Sequence, residues 1–188
     1  MNLRVTFVCL LALAGAAGCS RAQPPAPSAC PELDAGTPVD PALLAFLSRA
    51  RSAHHAADAL ESKNDLAAAE RELASLLDGS LPARKDAPEV REVLADTLAR
   101  RADLASRSAR FDAAEADIAR GLGLVVEPSY FRGHLVEVRG LLEERRAKAL
   151  ATAGDTAGAE RARDRAIASF QEAMQIQSAV IERTAPPH

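Results

Sequence analysis

The residues of this chain that could carry chemistry are three cysteines and four histidines, set among many carboxylates and guanidinium groups. On a helix, His54 and Asp58 would lie one turn apart, where both side chains could ligate a metal ion. His54 falls on an apolar stripe, however, and no second pair of ligands is evident, which favours a packed histidine. The chain contains no Walker loop and no GxGxxG, HExxH, CxxC or GxSxG motif. We therefore predict no catalytic residue, metal site or cofactor, and we expect the chain not to be an enzyme.

Cys19 follows a segment of distinct composition. Arg4 supplies a positive charge, residues 5–14 form an apolar core, and the small residues 16–18 lead into the cysteine. The segment resembles the signal peptide and lipobox of bacterial lipoproteins. The resemblance implies that residues 1–18 are cleaved, that Cys19 carries a thioether-linked diacylglycerol, and that its new amino group is acylated with a chain such as palmitate. The lipid bilayer is then the first partner.

The alternative is a secretory signal cut at an Ala-x-Ala-like site, which would leave Cys19 unmodified. Ala16 keeps this alternative open, since lipoboxes prefer leucine at that position. The apolar run is too short for a spanning helix, which needs about 20 apolar residues. Ser20, rather than aspartate, resembles lipoproteins sent to the outer membrane of Gram-negative bacteria. The resemblance thus implies a lipid-anchored protein of the cell envelope, at the outer membrane and facing the periplasm.

Residues 19–40 are predicted to be a disordered tether. Four prolines lie within twelve residues of this segment, at positions 24, 25, 27 and 31, and no apolar periodicity is visible. Such a segment cannot bury enough surface to offset the entropy lost on ordering. Cys30 has no internal partner if Cys9 is cleaved off and Cys19 is acylated. It is then a free thiol, or it pairs with a partner protein in an oxidising compartment.

Residues 41–183 carry the apolar spacing of helices. Asp40 and Pro41 predict a helix start, because a capping carboxylate precedes proline at the first helical position. Apolar residues then recur at three- and four-residue intervals up to a break at residues 64–65, and resume beyond it. The last helix is predicted to reach about residue 183, and residues 184–188 to form a disordered tail.

The helical pattern returns at intervals of 45 residues. Breaks near residues 63–65, 108–110 and 153–155 predict three antiparallel helical hairpins. Six alanines coincide in register, midway along the first helices and early in the second helices: Ala57, Ala102 and Ala147, and Ala69, Ala114 and Ala159. We predict helix crossings at these alanines, because helices approach closely only where side chains are small.

The arrangement resembles the tetratricopeptide repeat family, whose motif also places a large apolar residue after the second small one, here Leu73 and Ile118. The resemblance implies an all-α fold of three antiparallel hairpins stacked as a solenoid, with a long C-terminal capping helix. The chain departs from the family in its period, in Arg163 at the third large apolar position, and in lacking tryptophan or tyrosine in the usual aromatic positions. An ordinary six-helix bundle is the alternative.

Glycines and prolines predict where further helices begin and end. Gly121 and Gly123 indicate helix termination, and Pro88 and Pro128 each predict the opening of a long helix. The second half of the last helix extends beyond the repeat. We interpret it as a cap over the apolar end of the stack, with a groove-binding or dimer-forming helix as the alternative.

The densest basic region combines residues of two successive helices: Arg145, Arg146, Lys148, Arg161, Arg163 and Arg165. Acidic residues are interspersed at spacings that permit ion pairs within one helix. This favours a solvated helix face. A basic groove for an acidic peptide is the alternative.

The net charge of the chain limits the classes of molecule that it is expected to bind. Loss of residues 1–18 would remove Arg4 as their one charged residue and lower the formal net charge from −3 to −4. That balance does not favour nucleic acid as a partner. We predict a non-catalytic helical scaffold that binds an envelope protein or peptide. The alternative is a self-associating structural or assembly lipoprotein, a homo-oligomer built as a helical bundle.

Overall fold

The structure is a computed structural model that describes residues 40–184. Residues 1–39 lie outside this range. They include the predicted signal peptide, the lipidation site Cys19 and nearly all of the predicted tether with Cys30. The described part begins at Asp40, and its last helix includes Thr184, one residue beyond the predicted end of the domain.

The described residues form six α-helices joined by loops and contain no strand, so the predicted all-α class is confirmed. The helices are α1 (Pro41–Glu61), α2 (Leu66–Leu77), α3 (Pro88–Arg107), α4 (Phe111–Leu124), α5 (Tyr130–Thr152) and α6 (Thr156–Thr184). We call α1–α2, α3–α4 and α5–α6 the first, second and third hairpins. None of the described helices combines the length and apolar content that crossing a membrane requires.

The three hairpin turns share one backbone conformation at the predicted breaks. Asn64, Ala109 and Gly154, spaced 45 residues apart, have positive φ angles of 60°, 57° and 82°. The following amide donates to the carbonyl five residues earlier in each turn: Asp65 to Leu60, Arg110 to Ala105, and Asp155 to Leu150, at 2.9 to 3.0 Å. A left-handed residue followed by this bond satisfies the last carbonyls of a helix and ends it.

Capping side chains fix several helix starts. The Asp40 carboxylate accepts the amide of Ala42 at 2.8 Å, as predicted for the first helix. Asp65 and Asp155 cap α2 and α6 in the same way. Pro88 opens α3 as predicted, whereas α5 begins two residues after Pro128, since the hydroxyl of Ser129 caps it by accepting the amide of Arg132 at 3.2 Å.

The helices pack in chain order. The two helices of each hairpin contact each other, and each hairpin contacts the next one along the chain. All six repeat-register alanines are buried, with 0 to 1% of their surface exposed. Leu73 and Ile118, at the large apolar positions, are also buried, at 0% and 2% exposed. Methyl side chains therefore lie at the inner faces of all three hairpins, beside larger apolar residues.

Two glycines lie where helices approach still more closely. Gly121 and Gly123 were predicted to mark the end of a helix, and α4 ends at Leu124, one residue after Gly123. A Cβ at Gly121 would lie 2.6 Å from a methyl group of Leu135, so α5 packs directly on the α4 backbone there. Gly140 has the same role between α5 and α6, because its Cβ would lie 2.6 Å from the ring of Phe170.

The C-terminal half of α6 packs along the first half of α5. Ala173 is buried, and Gln177 lies against Gly133 of α5. Met174 and Ile181 were expected to take part in a cap, but 59% and 67% of their surfaces are exposed. The extension therefore covers α5 with one side and presents apolar residues to solvent with the other.

The repeated turn yields a matched pair of substitutions. We expect Ala109→Gly to raise the free energy of unfolding by about 0.5–1 kcal/mol, because glycine adopts positive φ without the steric cost that alanine has. Gly154→Ala should lower it by about 1 kcal/mol. No atom lies within 4 Å of the added Cβ at Gly154, so the backbone conformation alone is tested. Urea unfolding measures both, and shifts of the same sign would contradict the shared conformation.

Candidate functional site: a charged groove between α4 and α6

His54, the candidate metal ligand, packs against α3. Its Nε2 lies 3.0 Å from the hydroxyl oxygen of Thr97, and because that hydroxyl donates to Val93, Nε2 donates to it. Burial lowers the pKa of His54, although Asp96, at 3.9 Å, opposes this effect. Asp58 pairs instead with Arg100. The described residues hold no group of three side chains suited to a metal ion.

The first helices of successive hairpins are joined by the same polar contacts. Arg100 on α3 donates to Asp58 and, at 3.2 Å, to Glu61 on α1. Arg145 on α5 donates to Ser106 at 2.6 Å and pairs with Asp103 at 2.8 Å, both on α3. Each participant in the second set lies 45 residues after its counterpart in the first, so both joints between hairpins share one registered contact.

The sequence contains a signal for this contact, since Arg100 and Arg145 are separated by the 45-residue period of the repeat. Arg145 was instead placed on a solvated face with Arg146 and Lys148. Lys148 does pair within its helix, with Glu144 at 2.8 Å. Arg145 is 28% exposed and reaches across to the neighbouring hairpin, so for this residue the solvated-face prediction is wrong.

The contacts of Arg100 and Arg107 change the acidity of two α1 carboxyl groups. The hydrogen bond from Arg100 lowers the pKa of Asp58, and that from Arg107 is the main cause of the lowered pKa of Glu61. Burial disfavours the charged form of Arg100, but the hydrogen bonds that it donates to Asp58 and Glu61 outweigh this effect and raise the pKa of the guanidinium. All three groups therefore stay charged at neutral pH.

A groove with a volume of about 480 Å³ lies where α4 and α6 flank α5. Its walls and floor combine charged, hydroxyl and apolar side chains. The lining residues are Glu115 and Ile118 on α4, Arg139, Leu142, Glu143 and Arg146 on α5, and Arg165, Ala168, Ser169 and Glu172 on α6. We call this surface the α4–α6 groove.

Glu143 is the buried centre of the groove, with 5% of its surface exposed. Its two carboxylate oxygens accept from Arg146 and Arg165, each at 2.8 Å. The hydrogen bond to Glu143 raises the pKa of Arg165. A buried carboxylate held by two guanidinium groups is stabilised only while both remain in place, so this centre fixes α6 against α5.

Comparison with the second hairpin explains why a groove opens here. Leu94 and Leu98 of α3 are buried in an apolar cluster shared with α1 and α2. The residues 45 positions later are Arg139 and Glu143. Charged side chains need polar partners or water when they replace leucines facing a core. The third hairpin therefore has a polar groove where the second has apolar packing.

The rim of the groove is accessible and carries charge of both signs. Arg139 donates to Ser169 at 3.2 Å and to Glu172 at 2.6 Å, and Arg146 donates to Glu115 at 3.0 Å. Side-chain exposure is 64% for Glu115, 50% for Arg165 and 43% for Glu172. Below them, Leu142 and Ile118 form an apolar floor. The arrangement suits a ligand with an apolar group between polar or charged groups.

No protein-family model matches the chain, and neither a curated protein nor a solved structure matches it.

The registered contact between α3 and α5 can be tested by removing its arginine. We expect Arg145→Ala to lower the free energy of unfolding by about 1–2 kcal/mol, because Asp103 and buried Ser106 lose a charged donor, with partial compensation by water. Lys148→Ala is the control, since it removes only an exposed pair within α5 and should cost about 0.3–0.5 kcal/mol. Thermal and urea unfolding measure both. Equal effects would show that the contact between hairpins adds nothing.

Proposed function

We propose that this chain is a lipid-anchored lipoprotein of the bacterial envelope whose helical body is a non-catalytic scaffold for protein–protein interaction. Cys19 carries the lipid, the residues after it form the tether, and the described helices hold a segment of another envelope protein. The location is the outer membrane, with the body in the periplasm. Arg4, the apolar core of residues 5–14 and the small residues before Cys19 support the anchor.

The scaffold is a solenoid similar to tetratricopeptide repeats, rather than an ordinary bundle. Three turns with the same left-handed residue support this arrangement, as do the two registered contacts of Arg100 and Arg145. In a solenoid each unit contacts its neighbours alone, which generates an extended surface that can accept a partner segment.

The α4–α6 groove is the observation that carries the proposal. Its apolar floor would take an aliphatic or small aromatic side chain of the partner segment. Arg165, whose side chain is half exposed, would bind a carboxylate of that segment, and Glu115 would bind a cationic group. Charged groups around an apolar pocket give orientation and specificity, while burial of the apolar group gives most of the affinity.

Self-association is the second candidate role. The observation that favours it is the exposure of three large apolar residues on α6: Ile167, Met174 and Ile181. This surface is separate from the residues that line the groove.

The groove can be tested by placing a photoreactive residue at Ala168, which is exposed and lines it. Illumination of the anchored protein in native membranes should join it to a different envelope protein. The matched control is the same residue at Ala157, which is exposed on α6 but does not line the groove. Adducts with other copies of this chain alone, or equal yields at both positions, would contradict the scaffold.

The anchor can be tested with a pair of cysteine substitutions. We expect Cys19→Ser to move the protein from the membrane fraction to the soluble fraction, because acyl chains provide the hydrophobic attachment. Cys30→Ser is the control and should stay with the membrane. Fractionation with and without detergent measures both. Continued dependence of the Cys19→Ser protein on detergent would contradict the lipobox.

A further inference from the structure

Three large apolar residues lie exposed at seven-residue intervals along α6. Ile167, Met174 and Ile181 have 56%, 59% and 67% of their surfaces exposed. Since seven residues make nearly two helical turns, the three side chains share one side of the helix. We call them the α6 stripe. The stripe is symmetric about Met174, because Ile167 and Ile181 lie equally far from it.

Within its own length the α6 stripe runs through a segment that is almost free of charge, although 26% of the whole chain is charged. Residues 166–181 contain one charged residue, Glu172, and that side chain lies in the α4–α6 groove with Arg139. The exposed polar neighbours of the stripe are neutral: Gln171, Gln175 and Ser178. Neutral polar residues around apolar ones, with charge depleted, are typical of the central part of an interface.

The repeat explains why this side of α6 is apolar. Ile167 lies 45 residues after Leu122, a half-buried residue of α4 that packs against the core cluster shared with α5. Among the described residues no fourth hairpin follows to cover Ile167. At the neighbouring position, Ile118 of α4 is replaced in α6 by exposed Arg163. The surface on which a next hairpin would pack has thus become polar at one point and remained apolar along the stripe.

We propose that a second copy of this chain covers the α6 stripe, with its own α6 running antiparallel about a two-fold axis at Met174. In this arrangement Met174 meets its symmetry mate, and Ile167 of each copy meets Ile181 of the other. Each apolar residue thereby gains an apolar partner from a single helix-to-helix contact. An interface of this type is self-complementary, which is the requirement for a closed dimer.

Charge selects the antiparallel orientation over the parallel one. Glu160 and Arg163 lie along the same side of α6, before the stripe begins. A parallel pair would place Glu160 against Glu160 and Arg163 against Arg163, and juxtaposed like charges are unfavourable. In the antiparallel pair these residues lie beyond Ile181 of the other copy, so the stripe alone forms the centre of the contact.

The contact is short. Residues 166–181 span about 24 Å at 1.5 Å per residue. One helix pair of this length falls at or below the lower end of stable interfaces, which bury about 1,200–2,000 Å². The dimer is therefore in a concentration-dependent equilibrium with the monomer. This inference does not depend on the groove or on the lipid anchor.

Disulfide trapping tests the geometry in the full chain with Cys9, Cys19 and Cys30 replaced by serine, which also removes any lipid anchor from the experiment. Met174→Cys should form a disulfide-linked dimer, because two cysteines at the axis satisfy the short Cα separation that a disulfide needs. Ile167→Cys should form none alone, but should form one when mixed with Ile181→Cys. Val126→Cys is the control, since Val126 is 67% exposed and lies outside α6.

Each result decides the proposal. A yield at Met174→Cys no higher than at Val126→Cys overturns the dimer. Self-linked Ile167→Cys overturns the antiparallel arrangement and indicates a parallel pair.

Sedimentation equilibrium in the same serine background supplies a second readout that does not require a bond to form. Met174→Glu should weaken association by about tenfold or more, because it places two carboxylates at the centre of the contact. Val126→Glu should leave the dissociation constant unchanged. A parent chain that stays monomeric at all concentrations, or equal weakening by both variants, overturns the proposal. Neither variant alters the α4–α6 groove, so loss of the dimer and failure of the scaffold are separate results.

Discussion

The structure depends on close helix crossings at methyl-sized side chains. Six alanines in a 45-residue register have at most 1% of their surfaces exposed. A larger residue there would separate the helix pairs, since packed interiors tolerate little added volume. Leu73 and Ile118 fill the space beside two of these crossings.

The registered ion pairs follow from those crossings. Arg100 reaches Asp58, and Arg145 reaches Asp103, because equal spacing between successive first helices places equivalent residues opposite each other. The pairs are partly exposed, so their contribution to stability is modest. Their value is specificity: apolar faces alone permit sliding by one helical turn, whereas paired charges favour a single register.

The sequence predicted the repeated elements well and the contacts between them poorly. Periodic alanines and the breaks at 45-residue intervals were sufficient for the helices, the turns and the all-α class. Helical spacing alone did not predict that Glu143 is buried, because Arg146 lies three residues later and the two residues resemble an exposed pair within one helix. Its second partner, Arg165, lies 22 residues away on another helix, and helical periodicity carries no information about that contact. The 45-residue register does carry a signal for its burial, since it aligns Glu143 with buried Leu98.

Departures from the repeat distinguish the third hairpin from the second. Leucines at 94 and 98 are replaced by Arg139 and Glu143, which turns an apolar contact into a polar groove. On α6, Arg163 replaces the buried Ile118 of α4, while Ile167 retains the apolar character of Leu122. The second hairpin uses the equivalent positions for apolar packing. The third hairpin has no described successor to pack against, and its side chains are free of that constraint. Both of the proposed binding surfaces therefore involve the third hairpin, where packing against a further described hairpin does not constrain each residue.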